Sequence, residues 1–123
     1  MNPFSYNRAK NVEEALALSS AKTSFIAGGT TMLDLMKLNI WQTTELLDIS
    51  RLDLRKIEKR GDSIFIGALV SNSELAHHKL IQEEFPVLSQ AILSGASPQL
   101  RNMASTAGNI MQQKRSRFRL CSY

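Results

Sequence analysis

The stretch Phe25-Ile26-Ala27-Gly28-Gly29-Thr30-Thr31-Met32-Leu33-Asp34-Leu35-Met36-Lys37 decides the reading of this chain. A short apolar run meets two glycines, then two hydroxyl residues, then apolar positions (Met32, Leu33, Met36) at helical spacing. That order predicts a strand, a tight turn and a helix start. Gly28 and Gly29 carry no Cβ, so the backbone there can bend sharply and come close to a ligand. Thr30 and Thr31 add hydroxyls beside the freed N–H groups. A turn of this kind ahead of a helix makes a cradle for an anion, because the N–H groups point outward and the helix dipole favours negative charge. The plainer alternative, for this stretch alone, is a strand-to-helix turn with nothing bound.

Upstream, Phe4 and Tyr6 alternate with polar residues after Pro3, which suits a short edge strand. Asn11 with Glu14 three residues on is a variant capping box. Ala15, Leu16 and Leu18 then predict an apolar stripe on a helix of about ten residues that covers a sheet. Downstream, Glu45 to Ile49 reads as a buried strand and residues 51–54 as a turn. Leu54 to Glu58 and Ser63 to Gly67 alternate around Arg60-Gly61-Asp62, a hairpin signal. Ser71 or Asn72 caps a helix carrying Leu75, Leu80 and Ile81, and Pro86 opens another with Leu88, Ala91, Ile92 and Leu93, closed by Gly95.

Residues 96–112 are a second unusual stretch, small, polar and glycine-bearing, with little apolar area to bury. A loop of this composition is either mobile or shaped around something. Ser105, Thr106 and Asn109 offer short donors and Gly108 permits close backbone approach. Two such segments meeting at one place could hold a diphosphate with neutral donors, with Arg101 either supplying a charge nearby or making a surface or packing salt bridge.

Composition narrows the alternatives. The 123 residues suit at most one ordinary domain or a piece of a larger one, and 43% apolar residues are enough for a core. No run of 18 or more apolar residues is present to span a membrane, and the N-terminal residues lack the apolar region of a secretory signal. A single cysteine, Cys121, excludes an internal disulfide. The net charge of +4 resides in Lys114, Arg115, Arg117 and Arg119, since basic and acidic residues balance over 1–112. This argues against a nucleic-acid-binding face on the folded part. The 113–123 segment, with no apolar period and only positive charge, is expected to be a disordered tail.

Neither the Gly-x-Gly-x-x-Gly dinucleotide fingerprint nor the phosphate-loop pattern occurs. His77 and His78 are adjacent, so on one helix they face different ways and do not share a metal; both are expected to be solvent-exposed. No nucleophile, base and orienter set is visible, so no catalytic residue is assigned.

Taken together, Phe25 to Lys37 and Gly95-Ala96-Ser97-Pro98-Gln99-Leu100-Arg101-Asn102-Met103-Ala104-Ser105-Thr106-Ala107-Gly108-Asn109 resemble the FAD-binding subunit of molybdenum hydroxylases, the family of xanthine dehydrogenase, carbon monoxide dehydrogenase and aldehyde oxidoreductase. Phe4-Ser5-Tyr6, the Val12–Leu18 helix, Leu47-Asp48-Ile49 and Ile66-Gly67-Ala68-Leu69 fit the same family in order, so the resemblance spans residues 2–112. It implies an α/β (α+β) fold, the N-terminal half of a vanillyl-alcohol-oxidase/p-cresol-methylhydroxylase-type FAD domain over 1–112. It also implies FAD held non-covalently. Ser24, Phe25, Ile26, Ala27, Gly28, Gly29, Thr30, Thr31 and Met32 would wrap the diphosphate and ribityl region, and Ser105, Thr106, Gly108 and Asn109 would add contacts.

In this family a molybdenum-cofactor subunit oxidises the substrate and an iron–sulfur subunit relays electrons to FAD, which passes them to an acceptor. The resemblance thus implies a heterotrimer, cytoplasmic or periplasmic by co-export with a signal-bearing partner, with no nucleic acid and no membrane. Two departures stand out. Family members are much longer, so the chain reads as a truncated, inactive N-terminal fragment that binds FAD weakly or not at all; the alternative is a non-catalytic remnant or interaction module keeping the fold without the cofactor. Some relatives ligate an extra iron–sulfur cluster after the second loop, where this chain has Ser116 and only Cys121, so no metal is expected.

Overall fold

The computed structural model describes residues 2–112. The 113–123 tail, with Ser116 and Cys121, lies outside the described residues. Five strands and seven helices follow one another within the described residues: β1 Ser5–Arg8, α1 Val12–Ala17, β2 Thr23–Ile26, α2 Met32–Lys37, β3 Glu45–Asp48, β4 Ile57–Arg60, β5 Ser63–Ile66, α3 Asn72–His77, α4 Lys79–Glu84, α5 Pro86–Ser94, α6 Pro98–Met103 and α7 Thr106–Ile110. This is the expected mixed α/β class. No helix among the described residues is long and apolar enough to cross a membrane.

The first three strands form one parallel sheet in the order β1-β3-β2, with β1 at the edge as its alternation predicts. Leu46 and Leu47, which point to opposite faces, are 3% and 1% exposed, so the central strand is covered on both sides. Arg8, Ile26 and Asp48 stand in register at the carboxyl ends of the three strands. In a parallel sheet the crevice beyond those ends is where ligands bind. The remaining strands, β4 and β5, form an antiparallel hairpin through Gly61 at φ 59°. Its first strand starts at Ile57, later than the alternation from Leu54 indicates.

Two apolar clusters make the core. Ala9, Ala15, Leu47, Leu52 and Leu69 form one; Val70, Leu75 and Ile81 form the other, against Ile57, Ile64, Ile66 and Ile92 from the hairpin and α5. They adjoin at Leu69 and Val70, so this one pair of residues ties the sheet layer to the helical layer.

Helix α1 departs from expectation. It has six residues, and of its proposed stripe only Ala15 is buried, with Leu16 and Leu18 exposed. Ser19 and Ser20 end it: the Ser19 hydroxyl donates to Leu16 O, and Ser20 bonds to Thr23. The Asn11 cap does form, its side chain accepting the Glu14 N–H at 2.7 Å while Glu14 accepts the Lys10 N–H. Asn11→Ala should lower the unfolding free energy by about 1 kcal/mol and the melting temperature by about 4 °C, read by thermal unfolding. An unchanged melting temperature would show the cap to be idle.

The segment expected to carry Leu75, Leu80 and Ile81 on one helix is broken. Ser71 caps α3 in a capping box with Glu74, but His78 adopts ψ 130° and starts α4 afresh. His77 is exposed on α3 as expected. His78 is the link between the helices and is half-buried, its Nδ1 buried without a hydrogen-bond partner among the described residues.

Residues 96–112 differ most from their sequence reading. They are not loop but two short helices, each opened by a serine: the Ser97 hydroxyl accepts the Leu100 N–H and the Ser105 hydroxyl accepts the Gly108 N–H. Pro98 at the first turn of α6 was the available signal.

Candidate functional site

The turn between β2 and α2 is built as its glycines demand. Gly29 has φ 70°, the left-handed region that β-carbons disfavour. A β-carbon on Gly28 would lie 1.8 Å from Met103 O and 2.7 Å from Met103 C, so the first segment rests directly on the backbone of the second. The N–H groups of Gly28, Gly29, Thr30 and Thr31 donate to no acceptor among the described residues. A run of unpaired N–H groups at a turn is a donor surface awaiting an acceptor. Farther along, Gln112 Nε2 donates to Thr31 Oγ1 at 2.7 Å, a second tie between the two segments.

The second segment is held by hydrogen bonds to residues 68–72, beside the junction of the two cores. Asn72 N–H donates to Ala104 O (2.9 Å), Thr106 N–H to Val70 O (2.8 Å) and Ala107 N–H to Ala68 O (3.0 Å), with Ser71 and Ser105 paired between them. The two glycine segments, distant in sequence, therefore converge, which the diphosphate reading requires.

Between them lies a cavity of about 80 Å³. Ala27, Gly28 and Ser105, three of the residues singled out from the sequence, line it. So do Ser50, Arg55, Leu69, Ser71, Asn102 and Met103, which that reading did not single out. Ser50 and Arg55 come from the turn after β3, where no glycine or hydroxyl cluster draws attention to them.

The other expected residues sit around rather than in the cavity. Ser24, on β2, has its hydroxyl accepting from Trp41 Nε1 at 3.3 Å, and Phe25 is exposed. Ile26 ends β2 beside Asp48, and Thr30, Thr31 and Met32 form the helix entry. Thr106 directs both its N–H and its hydroxyl to Val70 O. Gly108 and Asn109 are exposed on α7; the nearest atom to a β-carbon on Gly108 is its own cap, Ser105 Oγ, at 2.8 Å. Arg101 supplies no charge here and makes no ion pair among the described residues. Its Nη1 donates to Leu93 O, Gly95 O and Ala96 O and so closes the carboxyl end of α5.

At the strand ends, Asp48 is 7% exposed and accepts hydrogen bonds from the Tyr6 hydroxyl, Arg8 Nε (2.9 Å) and the Ser50 N–H (2.8 Å). Burial by itself raises the Asp48 carboxyl. The hydrogen bonds from Tyr6, Ser50 and Arg8 outweigh burial and hold it well below the usual carboxylate range. This carboxylate anchors the turn that delivers Ser50 to the cavity wall. Among the described residues no three His, Cys, Asp or Glu side chains come together as a metal site.

Comparison with known proteins bears on the same segments. Residues 2–117 match the family described as FAD binding domain in molybdopterin dehydrogenase. The chain is 49% identical over 119 residues to the aldehyde oxidoreductase FAD-binding subunit PaoB of Escherichia coli (strain K12), covering 94% of this chain and 37% of that protein. It is 37% identical to the carbon monoxide dehydrogenase medium chain of Hydrogenophaga pseudoflava, over 87% of this chain and 39% of that one. A solved structure of carbon monoxide dehydrogenase from Hydrogenophaga pseudoflava, lacking the Mo-pyranopterin moiety of the molybdenum cofactor, superimposes with a TM-score of 0.84 at 34% identity, over 89% of this chain and 39% of that chain. The chain thus spans about two-fifths of the length of these relatives.

Proposed function

Since this chain belongs to the family of FAD-binding domains of molybdopterin dehydrogenases, we propose that residues 1–112 grip the diphosphate of FAD between the Ala27–Met32 turn and the Ser105–Asn109 segment. The observation that carries this reading is the seating of Gly28 on Met103 at a turn whose four N–H groups, Gly28 to Thr31, have no partner among the described residues. A diphosphate is an acceptor of the right charge for such a surface, and a β-carbon would fill the space that brings the two segments together. FAD, when bound, supplies the redox chemistry, taking electrons and passing them to an acceptor. The residues of this chain bind and orient it. Gly28 to Thr31 present N–H groups, Ser105 keeps its hydroxyl proton free to donate while capping α7, and the Asp48–Ser50 turn closes one wall.

In the assembly proposed here, a molybdenum-cofactor subunit oxidises the substrate, an aldehyde or a xanthine-type compound, and an iron–sulfur subunit delivers the electrons to the flavin. A cavity of about 80 Å³ is far below the roughly 300–1,000 Å³ of sites that enclose a cofactor, so this chain by itself grips FAD at the diphosphate, weakly, and does not turn over.

The test is an amide NMR titration of the 123-residue chain with FAD. Shifts concentrated at Gly28, Gly29, Thr30 and Thr31, with a dissociation constant weaker than about 10 μM, or about 7 kcal/mol of binding, are expected. A folded chain whose Gly28–Thr31 amides stay put at millimolar FAD would refute the site, and tight binding with turnover would refute the claim that the chain is inactive alone.

A further inference from the structure

Arg55 is the one charged side chain among the described residues lining the cavity beside Gly28. Its backbone is pinned on both sides, by Gly67 N–H to Lys56 O (2.8 Å) and Leu69 N–H to Leu54 O (2.9 Å), so the point from which the side chain leaves is set by the first core. The guanidinium itself is loosely engaged. Nη2 reaches Ser50 O at 3.4 Å, and Nη1 lies 3.8 Å from Glu74 Oε2 with both side chains about half exposed. Ion pairs of that length and exposure contribute little.

Glu74 does not depend on Arg55. Its carboxylate accepts the Ser71 N–H at 2.8 Å in the capping box. That hydrogen bond is the first cause of its lowered proton affinity, and the Arg55 charge is the smallest of the causes. Most of the five guanidinium donors therefore have no partner among the described residues. The other described residues of the cavity wall offer only neutral groups, whereas a diphosphate carries full negative charge.

We propose that Arg55 is the cationic contact of this site, its guanidinium donating to the diphosphate oxygens of FAD in the cavity that it lines together with Gly28. The proposal rests on the reading that the cavity takes the FAD diphosphate. It adds a residue from the turn after β3, and it makes binding salt-sensitive, because the attraction is between full charges in partly exposed positions.

The experiment compares wild type, Arg55→Gln and Arg55→Lys in the FAD titration at about 50 and 300 mM salt, with the melting temperature of each chain recorded. Arg55→Gln should weaken FAD about tenfold at low salt and lose most of the salt dependence, while Arg55→Lys stays within about threefold of wild type. Arg55→Gln binding FAD as tightly as wild type, with the same salt dependence, would overturn the role of Arg55 and leave the site reading intact. A wild-type chain with no shifts at Gly28–Thr31 would overturn the site reading instead. A lower melting temperature with unchanged affinity would assign Arg55 to Ser50 and Glu74 alone, which also overturns the proposal.

Discussion

Replacing Gly28 by alanine should destabilise the chain by about 3 kcal/mol or more and remove FAD binding together, the largest effect of any single change expected here. A methyl group placed 1.8 Å from Met103 O and 2.7 Å from Met103 C meets backbone, which cannot rotate aside as a side chain can. Either the Ala27–Met32 turn lifts off α6 or the chain between α6 and α7 moves, and that chain is held to residues 68–72 by three backbone hydrogen bonds. The two segments then no longer present their donors to one anion. Gly108→Ala is the control. Its β-carbon meets only the Ser105 hydroxyl, at 2.8 Å, and that hydroxyl can swing away with the loss of one cap, about 1 kcal/mol. Urea unfolding of the two variants, followed by FAD titration of whichever folds, checks the contrast. Equal stability for the two would mean that the Gly28 contact is not close in solution.

The second large effect belongs to Asp48. Asp48→Ala should cost about 2 kcal/mol at neutral pH, since it leaves the Ser50 N–H and the Tyr6 hydroxyl without their charged acceptor. Arg8 is 42% exposed, so water takes over its charge and the loss stays below that of a fully buried ion pair. The pH dependence has a fixed sign. A carboxyl whose proton affinity is lowered by folding stabilises the native state above its unfolded value near pH 4, and that contribution drains away as pH falls below about 4 toward the lower native value. Wild-type stability should therefore fall on acidification faster than that of Asp48→Asn, and the two should draw together. Urea midpoints at pH 7 and pH 3 measure it; parallel losses in both proteins would remove Asp48 from the acid response.

Where local chemistry decides the outcome, the residues announce it. The Gly28-Gly29 bend, the Gly61 hairpin, the Asn11 cap, the buried run at Glu45–Asp48 and Pro86 at the head of α5 are all short-range choices, each made by a residue whose backbone or side chain permits little else. The candidate site was half legible for the same reason. Ala27, Gly28 and Ser105 belong to segments with an unusual composition and line the cavity. Arg55 and Ser50 carry no such mark: a basic residue in a polar turn looks like any solvated charge until the fold sets it beside Gly28. Arg101 was the more conspicuous arginine in the chain, lying inside the second segment, yet the carbonyls at the end of α5 claim it.

The sequence by itself determined the strand, turn and helix order as far as residue 66, the Asn11 and Ser71 caps, and the presence of two segments with bare backbone, because those follow from φ preferences, hydrogen-bonding side chains and apolar period within a few residues. Only the tertiary structure decided that the two segments touch, that Leu16 and Leu18 remain outside, and that Arg55 rather than Arg101 borders the cavity. Those outcomes depend on which surfaces the junction at Leu69 and Val70 brings together, and contact between distant residues leaves no periodic trace along the chain.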